Sequence, residues 1–146
     1  MGRGLAIVLT LAAGALVAFQ PPANALLARR VGDLGAAFTS LLLSTLIVGG
    51  LLVLAGETGQ LGGLSGLRPQ HLLGGIAGAA IVLVSLITVR PLGVGGVAAA
   101  LVATQLIFSA LIDRFGALGV RETPLSAPRV LGIALLIAGT VLVTSR

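Results

Sequence analysis

Five long apolar runs, almost free of charge, fill most of this 146-residue chain: Gly4–Phe19 (extendable to Ala28), Leu34–Ala55, Leu72–Val89, Pro91–Ile112 and Val130–Thr144. They constrain the solvent before they constrain the fold. A hydrocarbon core about 30 Å thick takes roughly 20 apolar residues of helix to cross. Each run meets or approaches that length, and none contains Arg, Asp or Glu. A soluble domain carries about 25% charged residues and about 45–50% apolar ones. Here the shares are 9% and 57%, so the medium is lipid. The pattern predicts an all-α membrane protein. It reads as one domain, 1–146, a bundle of five transmembrane helices with spans near 4–28, 34–55, 71–89, 91–112 and 126–144.

The formal charge of +5 does not indicate nucleic acid. The basic residues stand singly or as one pair at the ends of apolar runs, where Arg ordinarily anchors a helix at the interface. The chain has no Cys, so it offers no disulfide, thiolate metal site or Cys nucleophile. Trp and Tyr are absent too, which leaves Arg alone to mark the interfaces. Arg3, an apolar run and Ala23-Asn24-Ala25 together mimic a signal peptide with a small-residue cleavage site. The run is longer than a usual signal core and four similar ones follow it, so a first membrane helix is the simpler account.

Local signals punctuate the spans. Pro21 and Pro22 remove the donors for the carbonyls of Val17 and Ala18, which predicts a kink or break near Gln20. Gly32-Asp33 and Arg90-Pro91-Leu92-Gly93 read as short turns, and Gly56–Pro69 as the longest flexible loop. Gly74 and Gly78 form a GxxxG face that lets helix backbones approach closely. Asp113-Arg114-Phe115-Gly116 ends the fourth helix. Ser126 is placed to cap the fifth, with Pro128 in its first turn. That last helix is short, so Arg129 is expected to snorkel to the interface.

The rare polar groups are the candidate site. Gln20 and Asn24 lie four apart, on one face of a helix. They form either a solute-facing patch beside a broken helix or interhelical glue. Gln105, Ser109 and Asp113 follow at i, i+4 and i+8, a polar stripe expected to face the bundle interior. Asp113 is the carboxylate nearest the membrane. It is a candidate for proton coupling if burial raises its pKa, and otherwise an interfacial residue paired with a neighbour such as Arg114. His71, at a helix mouth, reads as interfacial. One His without Cys argues against a metal site, no nucleophile–base set is visible, and no cofactor is expected.

Alternating spans put Arg3, Arg68, Arg114, Arg121 and Arg129 on one side and Arg29, Arg30, Arg90 and Arg146 on the other. Five against four is almost no orientation signal. Two opposed copies would then form a ten-helix assembly with a two-fold axis in the membrane plane.

Several stretches carry a resemblance. They are Gln20-Pro21-Pro22-Ala23-Asn24-Ala25-Leu26, Gly32, Ala36-Ala37-Phe38-Thr39-Ser40, Leu73-Gly74-Gly75-Ile76-Ala77-Gly78, Arg90-Pro91-Leu92-Gly93, Gln105 through Gly116, Pro124-Leu125-Ser126 and Arg129-Val130-Leu131-Gly132. The chain resembles the YdcZ-like family of the drug/metabolite transporter superfamily over nearly its whole length. Thr104 stands where the family pattern usually has Gly, and Gln70 and His71 where it tends to have Trp.

The resemblance implies a multi-pass protein of the bacterial inner membrane, like half of a ten-helix exporter and related to four-helix multidrug transporters. The first-helix carboxylate of those four-helix relatives has no counterpart here, so their proton exchange is not carried over. The expectation is a non-enzymatic transporter subunit that exports a small metabolite or drug-like solute by alternating access. It would act as a homodimer, antiparallel in one arrangement, or with a homologous partner. Gln20, Asn24, Gln105 and Ser109 would line the path. The alternative is an accessory membrane protein whose polar residues serve packing only.

Overall fold

The computed structural model describes residues 2–145. Among them there is no strand. Three α-helices, α1 (Arg3–Leu54), α2 (Leu73–Phe115) and α3 (Ala127–Thr144), are joined through short 3-10 helices at Thr58–Gly66, Pro69–Leu72 and Ala117–Gly119. All three α-helices are long and apolar enough to cross a membrane.

α1 has 52 residues and would measure about 78 Å if straight, more than twice the hydrocarbon thickness. It is not one regular helix, because Gly32 adopts φ 75°, ψ 166°. α2 does the same at Gly93, with φ 70°, ψ 168°. That backbone region is essentially restricted to glycine, so one glycine fixes each of the two short turns expected from the sequence. Pro21 and Pro22 lie inside α1, and the departure from helical dihedrals comes at Gly32, not near Gln20, so the pair does not break the helix. Proline's fixed φ is itself helical, so two amide donors are lost while the dihedrals stay helical. The Gly56–Pro69 loop is also more regular than expected, with 3-10 structure over Thr58–Gly66. Ser126 does occupy the N-cap of α3, but its side chain makes no capping bond.

The described chain forms two compact units, Met1–Arg90 and Pro91–Arg146. In the first, Ala28, Ala36 and Ala37 pack with Val82 and Leu86, bordered by Leu27, Leu41 and Leu83. Ala28 precedes Gly32 and Ala36 follows it, so both arms of α1 meet the same part of α2. Asp33, beside the turn, takes a two-pronged ion pair from Arg90: Nη1 donates to Oδ2 at 3.2 Å and Nη2 to Oδ1.

In the second unit, Gly96, Ala103 and Ala110 recur at seven-residue intervals and are buried, as is Val97. This smooth face receives α3 in antiparallel sense. At one end, a Cβ on Gly96 would meet Thr144 Cγ2 at 3.5 Å and one on Gly95 would meet Val143 Cγ1 at 3.8 Å. At the other end, Arg129 reaches Asp113. Between them the Thr140 hydroxyl is shared by Ala99 O at 3.1 Å and Leu136 O at 2.8 Å. Small residues let the backbones come close enough for such a bond.

Candidate functional site

The first polar group lies on the arm of α1 before Gly32. Pro21, Asn24 and Ala28 are buried and Gln20 is half-buried, a spacing that puts all four on one helical face. Asn24 retains only 7% of its exposure. Its Nδ2 is buried without a hydrogen-bond partner among the described residues. Such an orphan donor is rare in native structures and costs about 1–3 kcal/mol. By contrast, the buried Ser85 hydroxyl is satisfied within its own helix, donating to Ile81 O at 2.6 Å.

The second group belongs to the other unit. In the single chain Gln105 and Ser109 are exposed and Asp113 is half-buried. The buried line runs through Gly96, Ala103 and Ala110. Gln105, two residues past Ala103, lies about 200° round the helix from it. The Ser109 hydroxyl turns back to Leu106 O at 3.0 Å.

The Asp113 carboxylate accepts from Arg129 Nη2 at 2.5 Å, both side chains being 30% exposed. The partner is therefore Arg129, and neither Arg114 nor the open interface takes that role. The Asp113 carbonyl also accepts the Thr123 N–H at 2.8 Å, tying the connecting loop to the end of α2.

Other singled-out residues have local roles. His71 Nδ1 accepts the Arg68 N–H at 3.1 Å and closes the 3-10 turn Pro69–Leu72. A Cβ on Gly74 or Gly78 would meet nothing within 4 Å, so no helix of the described chain closes on that face. Among the described residues no three His, Asp or Glu come together to hold a metal ion. The Asp33–Arg90 and Asp113–Arg129 pairs went unread in the sequence. Alternation of the spans carried a signal for both, since it puts the partners of each pair on one side of the membrane.

Apolar helices of spanning length, small-residue packing faces and charges confined to helix ends and turns define an α-helical integral membrane protein. Residues 5–142 match the family described as "Putative inner membrane exporter, YdcZ", and the chain belongs to that family, one of the drug/metabolite transporter type. It is thus an inner-membrane protein from a transporter family and not an enzyme family. No curated protein and no solved structure matches it.

Proposed function

We propose that this chain is one half of an exporter for a small metabolite or drug-like solute, working by alternating access with a second copy or a homologous chain. The non-helical glycines support five crossings, formed by residues 3–31, 33–54, 73–92, 94–115 and α3. An odd number of crossings with balanced Arg favours an antiparallel pair.

The observation that carries the reading is Gln105. It is exposed, midway along residues 94–115 and about 15 Å from the end at Phe115, hence near the bilayer centre. An amide facing hydrocarbon there is costly. A second subunit or a wet path must cover it. The unpartnered Asn24 amide, on a proline-bearing face of the first unit, is a second polar group that needs covering. Asp113, held by Arg129, ties helix ends in this scheme.

One observation favours the accessory alternative: the Ser109 hydroxyl already spends its donor on Leu106 O. Cysteine scanning separates the two, because the chain has no native Cys. Single Cys at positions 20, 24, 105 and 109 should react with a water-soluble maleimide in proteoliposomes, and solute flux should fall in Gln105→Ala. Uniform protection with unchanged flux would refute the path.

A further inference from the structure

The segment between α1 and α2 has a use that neither solute transport nor helix packing accounts for. Its 3-10 helix, Thr58–Gly66, has nine residues and runs about 18 Å. In a 3-10 helix, residues three apart eclipse one another. Leu61 and Leu64 fall at that spacing, and Leu67 continues it, its N–H donating to Leu64 O at 3.3 Å. The three leucines therefore form one apolar edge, exposed by 48%, 56% and 44%. The other two edges hold only Gly59, Gln60, Gly62, Gly63, Ser65 and Gly66, and Thr58 begins the leucine edge. No residue of the 3-10 helix is buried, so the leucines take no part in the core.

We propose that this edge is an interfacial anchor and that its occupant is the lipid of the bilayer surface, at the boundary between headgroups and acyl chains. Continuity argues for lipid. The segment is tethered at both ends to membrane-crossing helices. The apolar residues at those tethers, Leu54, Leu72 and Leu73, are themselves exposed. The leucine edge thus extends a surface that already faces lipid, along the plane where those helices emerge. Charge agrees, since Glu57 and Arg68 flank the edge and mark its two ends as the parts that stay in the headgroup layer. The chain also has a use for such a device: without Trp or Tyr it lacks the aromatic belt that usually fixes a helix's depth. A leucine edge lying flat on the membrane would fix the ends of α1 and α2 instead.

The test is a nitroxide scan of the full chain in phosphatidylcholine–phosphatidylglycerol vesicles, with single Cys at positions 60, 61, 63, 64, 65 and 67. Labels at 61, 64 and 67 should collide preferentially with oxygen and be shielded from a water-soluble nickel chelate. Labels at 60, 63 and 65 should show the reverse, giving a period of three. In a Leu61→Ser/Leu64→Ser background, the label at 67 should lose its shielding. Equal nickel access at all six positions would overturn the proposal. So would dipolar coupling between label-61 spins that vanishes on dilution with unlabelled chain, because a second copy would then be the occupant. Shielding at 67 that survives the double substitution would overturn it as well. None of these outcomes depends on whether solute is transported.

Discussion

Replacing Asn24 by Leu should stabilise the isolated subunit while slowing transport. The side chain is 93% buried by its residual 7% exposure, and its Nδ2 has no partner among the described residues. In a water-soluble core such an orphan donor costs about 1–3 kcal/mol. In a membrane the unfolded reference state also finds partners, and interhelical hydrogen bonds average about 0.6 kcal/mol with a maximum near 1.7. Leu matches Asn in side-chain branching, with two methyl groups in place of the amide O and N, and needs no partner. The expected gain is therefore about 1 kcal/mol, a factor of about five in the folding equilibrium. The chain has no Trp or Tyr to report unfolding. The assay is energy transfer between dyes on an engineered Cys pair within residues 2–90, followed through an SDS titration in mixed micelles. Flux should fall about tenfold, the equivalent of one lost hydrogen bond of about 1.4 kcal/mol. A destabilised Asn24→Leu would mean that the amide finds a protein partner on assembly and acts as glue. Full transport in a stabilised variant would remove Asn24 from the path.

Three further outcomes follow from the geometry. Gly32→Ala and Gly93→Ala should each cost about 1–3 kcal/mol, because their dihedrals are open only to glycine although a Cβ would meet nothing within 4 Å at either site; an unchanged SDS midpoint would contradict this. Gly74→Ala with Gly78→Ala should raise subunit stability by about 0.5–1 kcal/mol per site and lower the yield of cross-linked dimer, whereas an undiminished yield would exclude that face as an interface. Asp113→Asn should lower stability by no more than about 1 kcal/mol, given that both members of the Arg129 pair are 30% exposed; a loss of several kcal/mol in the SDS titration would contradict this.

Lipid residence and the long apolar helices were legible from the sequence because hydrocarbon filters composition harshly: a charge inside a span is too costly to be common. The turns at Gly32 and Gly93 were legible for a similar reason, since few residues tolerate the required backbone. The behaviour of Pro21 and Pro22 was harder to read. Two prolines announce a loss of donors, but their fixed φ suits a helix, so the missing donors alone do not decide whether it breaks. The direction of the Gln105 stripe was not legible from polarity alone, because the chain's own buried face follows the seven-residue recurrence of Gly96, Ala103 and Ala110. Arg129 was read as a lone anchor because its partner stands sixteen positions earlier, across a loop.

Exposure has a different meaning here than in a soluble protein. Leu142, Leu54 and Phe19 are exposed by 75%, 85% and 73%, and in water that would demand a partner. In lipid it demands nothing, since acyl chains are as apolar as leucine. The hydroxyls are equally uninformative. Thr10, Thr39, Ser44, Thr45 and Thr88 each donate to the carbonyl four residues back and so carry their own solvation. The amides are the more demanding groups. A Gln or Asn brings two N–H donors and a carbonyl, more than a helix whose backbone bonds are already made can absorb. Gln20, Asn24 and Gln105 are therefore the residues whose surroundings must be supplied from outside their own helices, by another copy, by water or by the solute. In the proposed pathway these three amides therefore carry the solute-facing role, because the rest of the chain's surface is satisfied by lipid alone.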